Sequence, residues 1–239
     1  MTASQVGGEL GKLGKLGKLG ELGELGKLGK LGLVGTVSWS TLLFLALLVL
    51  VGVGRLLEMR VSRRHQRTLS AKGFPREAER GFSVMVAVHT AVLVGAAVEV
   101  LVTPRHVVPE LAAAAGVAFL LANVLRWWVI HTMAEHWNVQ VVNALSLGVV
   151  TTGPFRWVRH PNYVAVFVEL LALPLIHSAY LTALLGAVAH VFILFRRITF
   201  EETFLLGNAA YVTTMGGKPR FFPLRLPNRV PPSGTQPRN

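Results

Sequence analysis

Cysteine and aspartate are both missing from this chain of 239 residues. Without a thiol there is no disulfide framework, no thiolate metal site and no cysteine nucleophile, and cysteine usage says nothing of the redox compartment. Without Asp, all twelve acidic residues are Glu, which removes Asp-pair chemistry and Asp-rich Mg²⁺ motifs, and no metal site is expected. Charge is scarce as well, at 15% of residues against 52% hydrophobic, and the mean hydropathy is +0.51. An ordinary soluble domain carries about 25% charge, so this balance points to lipid as the solvent. The net charge of +12 then reads as the excess that orients a membrane protein, and nucleic acid is not an expected partner.

Residues 1–32 are dominated by a tract with Gly at every third position, most often preceded by Leu. At about 100° per residue, a period of three makes the leucines spiral around a helix without forming one apolar face. The tract also lacks the imino acids of collagen and the strand–helix setting of a phosphate-binding loop. It is expected to be disordered, as is the Pro-rich stretch 224–239. Between them, 33–223 is expected to form one transmembrane domain.

Leu31 to Gly54 has no charged residue and is long enough to cross a hydrocarbon layer of ~30 Å. Gly81 to Thr103 and Pro109 to Ile130 give a second and a third span. His131 to Pro161 is mixed in character and is expected to connect at the surface, partly re-entering the site. Asn162 to Phe195 is too long for one helix, and Pro174 with His177 and Ser178 divides it into two shorter helices joined by a tight turn. The expected fold is all-α and integral to the membrane, with about five transmembrane helices, a C-terminal helical hairpin and a cytoplasmic cofactor site. Arg55 to Arg80 holds eight basic residues and the loop around Arg105 one. Short basic loops stay inside, so the stretch before Pro161 and everything after Arg196 is expected to face the cytoplasm.

A charge at the centre of a membrane helix costs about 2.5–3.5 kcal/mol even on the lenient insertion scale. His89, Glu99, Arg126 and Glu169 therefore each need a reason. Glu99 and Arg126 are expected to snorkel near the membrane faces, whereas Glu169 lies deeper, with a functional role and a structural hydrogen bond both open. Two polar clusters adjoin the hairpin. In Gly153-Pro154-Phe155-Arg156-Trp157-Val158-Arg159-His160-Pro161-Asn162-Tyr163, Gly-Pro makes a turn and Pro161 suits the first turn of a helix, whose N-terminus beside Arg159 and His160 attracts anions. The alternative is an interfacial anchor of Arg, Trp and Tyr. In Arg196-Arg197-Ile198-Thr199-Phe200-Glu201-Glu202, Arg197 and Glu201 lie four apart on one face, able to pair or to grip a ligand together.

With these residues in view, GPFRWVRHPNY followed by RITFEETFLL and Tyr211 resembles the isoprenylcysteine carboxyl methyltransferase family of integral-membrane methyltransferases. The RHPNY half alone is also similar to phospholipid N-methyltransferases and sterol reductases. The resemblance implies S-adenosylmethionine held near the cytoplasmic face. It places Gln140, Val149, Val150, Phe155, His160, Pro161, Asn162, Tyr163 and Glu201 at the cofactor, and Arg197 at the anionic group of a lipophilic substrate drawn from the membrane lipid phase. Where the family continues with Gly and then Trp, this chain has Ala165 and Glu169. RLLEMRVSRR and MVAVHT resemble a bacterial branch often linked with type III polyketide synthases, which implies the bacterial inner membrane and O-methylation of an alkylpyrone or alkylresorcinol hydroxyl. The runner-up acceptors are an isoprenylcysteine-type carboxylate and a phospholipid amine. A resorcinol hydroxyl needs a base or a stabilised phenolate, for which Glu169 and His89 are the candidates. The contrasting classes are a non-enzymatic five-span protein and an NADPH-dependent reductase relative.

Overall fold

A computed structural model describes residues 37–74, 81–103, 105–140 and 148–222. The Gly-Leu tract and the Pro-rich stretch 224–239 lie outside the described residues. The described residues are helical, with no strand among them: α1 is Trp39–Ala71, α2 Phe82–Val102, α3 Pro109–Met133, α4 Pro161–Leu175, α5 Tyr180–Leu205 and α6 Ala209–Met215. Four of these, α1, α2, α3 and α5, are long and apolar enough to cross a membrane, and α4 is a shorter apolar helix. Four to five apolar helices describe a multi-pass membrane protein.

The boundaries follow local chemistry. Pro109 opens α3 at a position where no amide donor is needed, with Glu110 in the first turn. The helix α1 does not stop at Gly54 as the charge pattern suggests. It runs on through Arg55, Arg60, Arg63, Arg64 and Arg67 to Ala71, because Arg, Leu, Met and Glu are good helix formers and no Pro interrupts them. Most of the stretch expected as a basic loop is thus the last turns of a helix about 50 Å long at ~1.5 Å per residue. It ends where Gly73, at φ +87°, lets Phe74 N–H donate to Leu69 O and Gly73 N–H to Ser70 O, a glycine-terminated Schellman motif.

The expected division of the last apolar stretch is present, although only α4 is short. Ala179 N–H donates to Pro174 O and Ser178 takes φ +58°, making the turn, and α5 then runs for 26 residues. Glu99 of α2 holds that turn from the side. Its carboxylate accepts from the backbone N–H groups of Leu181 and Thr182 (3.1 and 2.8 Å), from the Thr182 hydroxyl (2.8 Å) and from Arg105 (2.5 Å). Glu99 therefore does not snorkel: it caps α5 from a neighbouring helix, supplying acceptors to the orphan first-turn donors and a negative charge to the positive dipole end.

The core has one main cluster built from Phe44, Leu48, Ala96, Val100, Ala115, Phe119, Ala172, Leu173 and Ala179, and a smaller one of Val92, Val166 and Leu170. Small residues allow close approach: a Cβ on Gly186 of α5 would lie 2.6 Å from Val92 of α2. Leu43, Leu50, Leu120, Leu121, Leu184 and Phe192 face outward, the exposure that a lipid solvent rewards and water would penalise.

Candidate functional site

Between α1, α2, α4 and α5 lies a cavity of about 490 Å³, within the ~300–1,000 Å³ usual for cofactor and small-molecule sites. Its wall includes Gln140, Val149, Val150, Phe155, His160, Pro161, Asn162, Tyr163, Arg197 and Glu201, all ten of the residues that the motif resemblance places at cofactor or substrate, whereas Glu169, the candidate base, is not part of it. The rest of the wall is largely apolar, with Leu56, Met59, Met85, Val86, Leu93, Val166, Ile193 and Leu194. One cavity thus joins a cluster of hydrogen-bonding groups to a large aliphatic wall that Arg55, Glu58, Arg126, His89 and His190 also reach.

The hydrogen-bonding cluster is assembled by α4 and α5. Tyr163 stands between the two α5 residues expected to act together: its hydroxyl donates to Glu201 Oε2 (2.5 Å) and accepts from Arg197 Nε (3.0 Å). The Arg197 guanidinium also lies over the Tyr163 ring, 5.5–6 Å being typical of such contacts and 5.8 Å the distance here. Arg197 further donates to Val139 O and contacts Met85 Sδ. One turn of α4 earlier, His160 is buried and its Nε2 lies 3.1 Å from Glu202 Oε1. A carboxylate oxygen accepts only, so Nε2 is the donor in this contact.

Glu202 gathers charge behind the cavity. Besides His160 it meets Arg159 at 3.2 Å and Arg220 at 2.5 Å. The Glu202 carboxylate holds the Arg220 guanidinium even more firmly protonated than an ordinary arginine. The segment around Arg220 lies along the RHPNY motif: Arg159 N–H donates to Pro219 O and His160 N–H to Arg220 O, both at 2.9 Å, and Lys218 donates to Phe155 O at 2.8 Å. These donors at the start of α4, expected to attract an anion, are used by the chain itself. Tyr211 of α6 closes this side, with burial pushing its phenol up to about 12, so it stays a neutral hydroxyl at any working pH.

A loop after α3 forms another wall. Gly153 begins its 3₁₀ turn at φ +55°, and a Cβ there would come within 2.4 Å of Thr132 Oγ1, so only Gly allows the turn to rest against α3. Earlier in the loop, α1 holds the stretch 137–140 in place. Ser62 donates to Asn138 Oδ1 (2.5 Å) and accepts from Val139 N–H (3.0 Å), His65 Nδ1 meets Trp137 O at 2.9 Å, and Gln66 donates to Gln140 at 3.4 Å. The sequence reading missed this clamp. Its trace was there, since Ser62, His65 and Gln66 are spaced three and four apart on one helical face.

Glu169 has a different setting. It is 2% exposed, and its Oε2 accepts from Arg55 (2.6 Å) and Arg126 (3.1 Å), while Glu58 accepts from both arginines. Arg126 is buried in this four-charge network between α1, α3 and α4 and does not snorkel as expected. Arg55, Glu58 and Arg126 reach the cavity wall from behind which Glu169 holds them. His89 lines the cavity too, beside His190 of α5.

Comparison with known proteins follows the same lines. The chain is 26% identical to the uncharacterized protein YpbQ of Bacillus subtilis over 160 residues, 67% of this chain and 95% of that one. It is 29% identical to an uncharacterized protein of Haemophilus influenzae over 151 residues, 62% and 87% of the two lengths. Residues 114–207, which contain every residue expected from the motifs to meet cofactor or substrate, match the model of the isoprenylcysteine carboxyl methyltransferase family, and that match suggests a membrane methyltransferase dependent on S-adenosylmethionine.

Proposed function

We propose that this protein is a membrane enzyme that methylates an oxygen of a lipophilic acceptor with S-adenosylmethionine. The observation that carries the reading is the convergence of Gln140, Phe155, His160, Asn162, Tyr163, Arg197 and Glu201, from three separate stretches of chain, on one cavity with a large aliphatic wall. The residues suit the cofactor. Asn162 Oδ1 is buried without a hydrogen-bond partner among the described residues, an acceptor matched to an amine of the adenine or of the amino-acid part. Glu201 matches the ammonium group in charge, and Phe155, Val149 and Val150 offer the flat apolar surface that a purine needs. When bound, the cofactor supplies an electrophilic methyl group, taken by an oxygen held in line at ~3–3.5 Å.

Arg197 is the residue that receives the acceptor oxygen. Its guanidinium is fixed by Tyr163 and the Val139 carbonyl, so it orients an anionic oxygen without moving. An acidic pyrone enol needs no base, and a phenolic hydroxyl, with a pKa near 10, is served by a cation that stabilises the phenolate. We therefore propose a long-chain pyrone or resorcinol lipid, of the sort linked with the bacterial branch that the N-terminal half resembles, as the acceptor. A second reading, an isoprenylcysteine-type carboxylate, is favoured by the same guanidinium, which pairs with carboxylates through two parallel bonds. A phospholipid amine suits the site less, because a cationic Arg197 repels an ammonium group. Glu169 is a positioning residue in this scheme: held by two arginines, it orients Arg55 and Arg126 at the wall.

The basic residues along the end of α1 and after α5 support a site facing the cytoplasm of a bacterial inner membrane. Calorimetry of detergent-purified protein with S-adenosylhomocysteine tests the cofactor, and absence of binding would refute the enzyme class and leave the non-enzymatic membrane protein. Mass spectrometry of lipids from cells with and without the protein, searching for a shift of about 14 daltons per methylene added, identifies the acceptor.

A further inference from the structure

Among the aliphatic residues of the cavity wall stands a pair of histidines that the proposed reaction leaves unused. His190 of α5 is 2% exposed, and neither of its ring nitrogens has a hydrogen-bond partner among the described residues; His89 Nε2 of α2 is likewise buried and unpartnered. The two rings lie 5.3 Å apart between centroids, and His190 stacks against Phe167 at 6.4 Å. Both line the cavity. Buried polar groups are almost always satisfied. Three unpaired nitrogens at one point of a cavity wall are the mark of a site whose partner is a ligand.

Their depth says which part of the ligand. Arg197 reaches Met85, and His89 is four residues further along α2, about 6 Å at ~1.5 Å per residue. His190 precedes Arg197 by seven residues on the same face of α5, since seven residues make nearly two full turns. His89 therefore lies about one helical turn from the residue that Arg197 touches and His190 about two turns before Arg197 itself, both deeper along the helices than the Tyr163–Glu201 cluster.

We propose that His89 and His190 form a specificity site for a second, uncharged oxygen on the acceptor's head group, a hydroxyl or carbonyl lying deeper in the cavity than the oxygen that Arg197 receives. The proposal deepens the methyltransferase reading and rests on it. An imidazole both donates and accepts, so the pair serves a hydroxyl or a carbonyl equally, and it discriminates against a head group with a single oxygen by leaving its own nitrogens unpaired. The other charged and titratable groups that share the cavity are Arg55 and Glu58 of α1, Arg126 of α3, His136, Arg159 and His160 between α3 and α4, Tyr163 of α4, Arg197 and Glu201 of α5, and Tyr211 of α6. Glu58 on the wall and Glu169 behind it are already engaged by Arg55 and Arg126, and Glu201 accepts from the Tyr163 hydroxyl.

The test is equilibrium binding to cofactor-free protein in detergent, read by tryptophan fluorescence, with two probes of equal tail length: 5-pentadecylresorcinol and 3-pentadecylphenol. The wild type is expected to bind the resorcinol about tenfold more tightly, and both His89→Leu and His190→Phe to bring the two affinities together, each retaining wild-type affinity for S-adenosylhomocysteine. Two variants on different helices keep the test decisive if one does not fold. No preference in the wild type, or a preference kept in a folded variant, would overturn the proposal. Failure of S-adenosylhomocysteine to bind the wild type would instead overturn the methyltransferase reading, whatever the probes show.

Discussion

Tyr163 and Glu201 share a 2.5 Å hydrogen bond that ties the first turn of α4 to the end of α5. The same hydroxyl receives Arg197, so the residues proposed for the cofactor and for the acceptor are joined through one oxygen. Tyr163→Phe keeps the ring and deletes that oxygen. We expect weaker S-adenosylhomocysteine binding by about ten- to a hundredfold, from one charge-assisted hydrogen bond of ~1.5–3 kcal/mol, with helix content unchanged by circular dichroism. Unaltered affinity would show that the bridge does not organise the site.

Arg197→Ala should separate the two functions. Methyl transfer is expected to disappear while cofactor affinity stays within a few-fold, because the guanidinium serves the acceptor. His160→Ala should do the opposite and lose affinity first. Equal loss of cofactor binding in both variants, measured by calorimetry, would contradict this division.

Glu169 is best probed with its partners. Removing one member of a buried ion pair costs about 3–5 kcal/mol, because it leaves the other charge uncompensated. Glu169→Ala should therefore lower the unfolding temperature sharply in detergent, and the double change Glu169→Leu with Arg126→Met should recover much of the loss. If Glu169→Gln left stability intact but abolished methylation of a phenolic lipid, a direct role as base would be restored.

Gly153→Ala introduces a side chain at φ +55° and sets it against Thr132. A strained backbone position of this kind costs about 1–3 kcal/mol. We expect a displaced loop and weakened cofactor binding, relieved in part by Thr132→Ser, which removes the methyl group that a Cβ would also meet at 2.9 Å.

Much of the helical plan can be read from composition and length alone. The spans at Phe82–Val102 and Pro109–Met133 and the division near Pro174 follow from uninterrupted apolar runs and from a Pro that cannot continue a helix. The polar wall was legible for a different reason, since its residues sit within two compact motifs. What could not be read was pairing at a distance. Nothing in the local sequence says that Glu99 will cap a helix some eighty positions later, or that Arg126 will meet Glu58 and Glu169. An isolated charge in an apolar run looks the same whether it reaches for water or for a buried partner. The end of α1 was misjudged because basic residues mark a membrane surface but do not break a helix. The role of Ser62, His65 and Gln66 depends on where the loop after α3 lands, which only packing decides.

The shortness of α4 has a consequence for where the reactants meet. Its fifteen residues extend about 22 Å, some 8 Å less than a hydrocarbon layer of ~30 Å. Such a mismatch is relieved by thinning or indenting the film around the short element. If the shortfall falls at the Arg-His-Pro end, the proposed reaction would have its water-soluble methyl donor descend through a dimple in the headgroup layer, while the acceptor stays where its tail is already dissolved and no lipid has to be lifted out of the membrane.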